Sequence, residues 1–239
     1  MADDRFSGLA GEEYELFKLS CPHFEELEKT IGKAIKEHFK DIQKEEVRVI
    51  EIGCGPGYTT LIILDADQRT KITALDNEPV MISQAEQILK QGIDKNRVEL
   101  VQSDALEFLK NRKEGLYDVF ASGFTMHNFQ GDYRGHVLSE IYRVLKKGGL
   151  FVNADKYALD DESKHKKNFE WQLNKFKEEY SKINRPDLID MWAKHYLEDE
   201  KPEVIMKGQV SIEHMKKIGF TGVKIIYRKK MDAVLVAVK

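Results

Sequence analysis

A chain of 239 residues is long enough for one α/β domain with a sizeable core and room for a helical cap. Its composition is globular, 41% hydrophobic and 33% charged, and a formal net charge of −3 creates no demand for a polyanionic partner. No apolar run approaches the roughly 20 residues of a membrane span, and the start Met1-Ala-Asp-Asp-Arg5 has neither the basic residues nor the apolar run of a signal peptide. Two cysteines, Cys21 and Cys54, make neither a disulfide framework nor a metal-ligand cluster, so the expectation is a cytoplasmic protein with reduced thiols and no metal.

In chain order, residues 1–44 carry a helical stripe, Phe24, Leu27, Ile31 and Ile35, after a Cys21-Pro22 break. The apolar run Val47–Ile52 reads as a buried strand and leads into a glycine-rich turn. Further strands are predicted over 71–75, 97–102, 117–122 and 149–154. Amphipathic helical stretches alternate with them at 58–67, 78–91, 105–111 and 133–147, the last stopped by Gly148-Gly149. Residues 157–207 are charged and helical in composition, with Trp171, Phe176, Tyr180, Trp192 and Tyr196 spread through them. Segments 221–228 and 233–238 read as a closing hairpin. This alternation predicts a doubly wound, Rossmann-like α/β fold. Its seven-stranded sheet is expected to be mostly parallel, with an antiparallel C-terminal strand. A single domain, 1–239, then carries a helical cap at 1–44 and a helical insertion at 157–207. In an open α/β sheet ligands bind beyond the carboxyl ends of the strands, where both segments are placed to act as a lid.

The turn after the first strand is Glu51-Ile-Gly53-Cys54-Gly55-Pro-Gly57. Glycine has no Cβ and lets the backbone approach a ligand closely. The second strand ends at Asp76, which can accept hydrogen bonds from both hydroxyls of a ribose. A dinucleotide fingerprint needs a third glycine where this chain has Tyr58. The Glu51 carboxylate suits a cationic ligand better than a pyrophosphate. Asp104, ending the third strand, can accept from an adenine amine or cap the next helix, and one residue can do both. Asn77 adds a donor, and Met81, one turn on, packs on adenine or in the core. After the fourth strand, Gly123 permits close approach. His127 has the pKa range of a general base, or is a hydrogen-bonded structural histidine. Asp155, Lys156 and Tyr157 end the fifth strand, where polar groups face substrate, although Asp155 and Lys156 can also pair with each other. His165, Trp171, Trp192, His195 and Tyr196 are pocket candidates weighed against core packing.

The pattern Glu51-x-Gly53-x-Gly55-x-Gly57 with Asp76 resembles motif I of the class I S-adenosylmethionine (SAM) methyltransferases. Leu19-Ser-Cys-Pro-His-Phe24, the glycine turn, Leu75-Asp-Asn-Glu-Pro-Val-Met81 and Gly123-Phe-Thr-Met126 follow one another as in carboxy-SAM synthase, a methyltransferase-fold enzyme of the transfer-RNA wobble-uridine pathway. The resemblance implies SAM as cofactor. It also implies an aromatic contact from Phe24, a glycine loop at Gly53, Cys54 and Gly55, a ribose site at Asp76 and Asn77, and an adenine site at Asp104 and Ala105. Two departures stand out. Gly123 replaces the family's asparagine, and His195, beside Lys194, falls where the synthase has its carboxylate-binding arginine. Imidazole lacks the bidentate fork of a guanidinium.

The expectation is therefore ordinary, in-line methyl transfer from unmodified SAM to a small molecule, with His127, Asp155, Tyr157 and His195 near the acceptor. A sulfonium donor needs positioning more than acid–base help. The alternatives are a carboxy-SAM synthase-like enzyme, a nucleic-acid methyltransferase and a non-catalytic SAM-binding scaffold. Balanced charge and the lack of an arginine-rich arm argue against nucleic acid. The partners allowed for are the small acceptor and a second copy of the chain in a homodimer, with no membrane.

Overall fold

The computed structural model describes residue 6 and residues 8–239. Seven strands form one sheet: β1 (Val47–Ile52), β2 (Thr70–Asp76), β3 (Val98–Gln102), β4 (Tyr117–Gly123), β5 (Leu145–Lys156), β6 (Thr221–Lys229) and β7 (Asp232–Val238). Their spatial order is β3-β2-β1-β4-β5-β7-β6. β1 through β5 are parallel, and β7 runs antiparallel to both β5 and β6. β1 and β4 are buried almost throughout because helices cover both faces, as a parallel sheet requires. The doubly wound α/β fold and its antiparallel C-terminal strand are thus as expected from the alternation.

The helices are α1 (Leu9–Glu12), α2 (Phe17–Ser20), α3 (Phe24–Phe39), α4 (Tyr58–Ala66), α5 (Pro79–Ile88), α6 (Lys90–Asp94), α7 (Ala105–Lys110), α8 (Gly131–Val144), α9 (Glu162–Lys182), α10 (Pro186–Asp199) and α11 (Gly208–Ile218). The stripe of α3 is fully buried at Leu27, Ile31 and Ile35, which docks the cap helix against α4 and the sheet. Residues 1–5 and 7 of the expected cap lie outside the described residues.

Two local expectations are corrected. The helix expected over 133–147 ends at Val144, and Leu145 is already extended and paired with Tyr117 of β4. Gly148-Gly149 therefore lies inside β5: Gly148 takes φ +78° at an irregularity in the β4–β5 register, and the pair forms a bulge rather than a helix stop. The helix α11 was not expected between insertion and hairpin; its spacing of Ile212, Met215 and Ile218 is apolar on one face, and it ends at Gly219 with φ +122°.

The insertion splits by role. Phe176, Tyr180, Trp192 and Tyr196 are buried, and the Phe17 ring of the cap packs 4.8 Å from Trp192. These aromatics join cap to insertion as core, whereas Trp171 is half-buried beneath the Lys230 ammonium, 4.0 Å from its ring centre. No helix among the described residues is long and apolar enough to cross a membrane.

Candidate active site

The carboxyl ends of β1 to β4 open into a cavity of about 480 Å³. Its floor is the turn after β1. Gly53 and Gly55 both have positive φ, +67° and +51°, which L-residues avoid. A Cβ on Gly53 would meet Thr125 Oγ1 at 2.1 Å, so only glycine fits between the turn and the β4 end. The Thr125 hydroxyl bonds Gly53 O and Gly123 O, both at 3.1 Å, clamping the two strand ends together.

Asp76 sits on the cavity wall with both oxygens fixed. Oδ2 accepts from Gly55 N at 2.9 Å and Oδ1 from Glu78 N at 3.0 Å. Each oxygen keeps a lone pair for a ligand hydroxyl. Burial pushes this carboxyl up, and the backbone N–H bonds of Glu78 and Gly55 oppose the push. Asn77 and Met81 line the same wall. At the β3 end, Asp104 serves as N-cap of α7 through Oδ1 and Glu107 N at 2.9 Å, while Oδ2 accepts from the Tyr133 hydroxyl at 2.8 Å. Ala105 and Gly123 complete the predicted residues on the cavity surface.

Other predicted residues stand behind that surface. Cys54 is buried, and its backbone N–H bonds Leu75 O at 2.8 Å; burial pushes its thiol well up, leaving it protonated. Gly57, φ +98°, starts α4. Phe24 stacks on Phe124 at 5.7 Å and so supports the wall, while Phe6 and Tyr14 are the cap rings that line it. Glu51 is fully buried, and burial pushes its carboxyl up to about 8.

The β4 and β5 ends carry a buried polar cluster beside the cavity. His127 Nδ1 lies 2.5 Å from Asp155 Oδ1, and the backbone N–H of His127 also bonds this carboxylate. Asn153 Nδ2 and Lys156 N donate to it as well. Such a partner at Nδ1 fixes the orientation of the imidazole. Nε2 faces Asp199 Oδ2 at 3.8 Å, and the His195 ring stands 6.4 Å from His127. Asp155 and Lys156, read as possible partners of each other, are instead divided: Lys156 Nζ bonds Asp199 Oδ2 at 3.0 Å and lies over the Tyr196 ring. His127, His195 and Asp199 are close enough to share a metal ion, but the Lys156 ammonium already supplies Asp199 with a cation.

His195 is buried between Phe6 and Trp192 and does not reach the cavity surface; Lys194 beside it is exposed. The insertion reaches the cavity through Glu198, Lys201, Glu203 and Val204 instead, and Lys201 is paired with Glu198. Tyr157, expected near substrate, lines a second cavity of about 210 Å³ with Arg134 and His214, where its hydroxyl accepts from Asn153. His165 is held by Glu200 at 2.6 Å. Phe6, Tyr14, Thr125, Asn128 and Tyr133 were not anticipated. Thr125 and Tyr133 meet partners far away in sequence, Gly53 and Asp104, and no local pattern marks any of the five.

Comparison with known proteins adds independent findings. Residues 49–149 match the family model described as "Methyltransferase domain". The carboxy-S-adenosyl-L-methionine synthase of Shewanella pealeana is 24% identical over 99% of this chain and 91% of its own length. The demethylmenaquinone methyltransferase of Leptospira interrogans is 30% identical over 46% of this chain. The chain spans 43% of that enzyme and 61% of the corresponding synthase from Shewanella sediminis, less than two thirds of either. Among solved structures, the CurJ carbon methyltransferase superposes with a TM-score of 0.64 at 17% identity, over 88% of this chain and 53% of that one, a likeness of fold.

Proposed function

We propose that this chain, which belongs to the class I SAM-dependent methyltransferases, transfers the methyl group of unmodified SAM to a small-molecule acceptor. The observation that carries the reading is the cavity at the strand ends, lined by a ribose-type acid, Asp76, an adenine-type acid, Asp104, and residues of the cap and insertion. About 480 Å³ falls within the roughly 300–1,000 Å³ of single-ligand pockets. Two buried free thiols fit the cytoplasm.

Catalysis in this reading is chiefly alignment of acceptor, methyl carbon and sulfur. For an acceptor that must lose a proton, the base in this reading is His127, which Asp155 holds just behind the lining segment 123–125 rather than on the cavity wall. Tyr14, whose hydroxyl burial pushes far up, stays protonated and can donate to an acceptor oxygen or nitrogen. The cap and the end of α10 act as the lid, so SAM should protect segments 6–20 and 198–206 from proteolysis.

The preference for SAM over its carboxylated form rests on charge. Among the described residues Lys201 is the only Lys or Arg on the cavity wall, and it is already paired with Glu198; His195 does not reach that wall. The test is incubation with methyl-labelled SAM and a panel of small amines, alcohols and thiols, with carboxy-SAM as competitor. Label transfer to a small acceptor, with carboxy-SAM competing weakly, is expected. Tighter binding of carboxy-SAM would favour the synthase-like alternative.

A further inference from the structure

We infer that the second cavity, lined from α8, α11 and the end of β5, binds a small organic acid with an apolar tail and a hydrogen-bond donor beside its carboxylate. The site is separate from the first cavity, with Glu203 the one described residue that lines both. It stands whether or not the first cavity takes SAM. At about 210 Å³ it falls below the roughly 300–1,000 Å³ of drug-sized pockets, so its occupant is small.

One corner of this cavity holds hydrogen-bonding groups that the fold leaves unmatched. Asn153 lines it and is 1% exposed. Both protons of its Nδ2 are used, one on Asp155 Oδ2 at 3.1 Å and one on the Tyr157 hydroxyl oxygen at 2.8 Å. Its Oδ1 is buried with no hydrogen-bond partner among the described residues. Turning the amide round does not help, because its oxygen would then face the Asp155 carboxylate. Tyr157 is also buried, and its hydroxyl accepts from Asn153 without an acceptor for its own proton among the described residues. One acceptor and one donor are thus left side by side, whereas buried polar groups are normally paired.

Charge and the apolar wall give the rest of the ligand. Arg134 lines the cavity, and its guanidinium bonds backbone carbonyls, Val204 O at 2.8 Å and Met126 O and Ile205 O at 3.4 Å. None of the described carboxylates forms an ion pair with it. Arg134 and Lys207 stand against a single lining acid, Glu203, which favours an anion. Asp155, behind Asn153, is already matched by His127 and by the N–H of Lys156. A ligand carboxylate can accept from Arg134 and from the Tyr157 hydroxyl, and a donor on the adjacent carbon meets Asn153 Oδ1. Leu138, Phe151, Met206 and Met215 form the apolar wall, all of them buried. Water can satisfy the polar corner but leaves that wall wet; an apolar tail covers it.

Ligand-detected NMR titration of the full chain tests this with three probes of one carbon skeleton. They are 2-hydroxy-4-methylpentanoate, 4-methylpentanoate, which lacks the donor, and 4-methylpentanamide, which lacks the charge. The hydroxy acid should bind tightest, and each of the others about fivefold more weakly, as loss of one hydrogen bond implies. Tyr157→Phe removes only the hydroxyl and should weaken the hydroxy acid about tenfold, the worth of a hydrogen bond to a charged group. The order of the probes on wild type needs no variant, so it decides the matter even where Tyr157→Phe fails to fold. No binding of any probe, or equal affinity for all three, would mean a cavity filled by water only and would overturn the site. Unchanged affinity in folded Tyr157→Phe would overturn it too. So would displacement of the hydroxy acid by SAM, which would place it in the first cavity.

Discussion

Asp118 and Glu51 lie on neighbouring parallel strands, one at the start of β4 and the other near the end of β1, and both are buried. Their surroundings are opposite. Asp118 accepts from Lys44, from Lys146 Nζ at 2.9 Å and from Arg48 N at 2.9 Å. Burial pushes it up, but these donors outweigh burial and hold it below the usual carboxylate range. Glu51, with Glu28 beside it, has one threonine hydroxyl and an unpartnered oxygen, and burial leaves its carboxyl high. The amino end of the sheet is electrostatically complete. At the carboxyl end, where ligands of open α/β sheets bind, Glu28 and Glu51 lack such donors among the described residues, and burial keeps both carboxyls raised.

Substitutions at the two ends should therefore separate activity from stability. The largest expected effect is on turnover: His127→Ala removes the proposed base, and for an acceptor that must be deprotonated kcat should fall by about 10²–10⁴ with SAM affinity unchanged. Steady-state kinetics that show full activity would make His127 structural. Next, Asp118→Asn should cost about 1–3 kcal/mol of stability in denaturant unfolding. That is near the lower part of the range for charged hydrogen bonds, because Lys44 and Lys146 are about one-third exposed. SAM affinity should not change. A variant as stable as wild type would break the contrast between the two ends.

The pH dependence sharpens the same contrast, with a smaller effect. Asp118 is depressed, so its contribution is present above the unfolded carboxylate pKa and is lost as pH falls through the folded value. Glu28 and Glu51 are raised. Their contribution is full below about 4.5, the ordinary value of an unfolded glutamate, and is lost as pH rises through about 7 and about 8. Ligand-free protein should lose thermal stability between pH 5 and 8, and Glu28→Gln should flatten that slope. A melting temperature that rises steadily over this range would contradict the assignment.

Local chemistry made much of the site readable. Glycines with positive φ, a strand-end acid and an N-cap acid are signals carried within a few residues, and Gly53, Gly55, Asp76 and Asp104 lie on the cavity as their types suggested. What stayed hidden depends on distant pairings. Tyr133 reaches Asp104, Thr125 reaches Gly53, and Glu28 reaches Thr59 only after the helices dock. His127 was legible as a candidate, but its partner was not, because Asp155 and Lys156 face different neighbours despite adjacency in sequence. The insertion's aromatics looked equally suited to a ligand box and to a core, since helical spacing is the same in both. Burial against Phe17 and the sheet decides for the core. The Gly148-Gly149 pair misled for a related reason: glycine marks a positive φ, and a strand bulge uses one as readily as a helix end.

The central claim is that the cavity holds SAM with its ribose on Asp76, and calorimetric titration of SAM into wild type and Asp76→Ala tests it most directly. The account predicts measurable SAM binding by wild type and a loss of about 1.5–3 kcal/mol in the variant, the worth of hydrogen bonds to a charged group. Unchanged SAM affinity in Asp76→Ala, or tight binding of a nicotinamide dinucleotide with none of SAM, would contradict it.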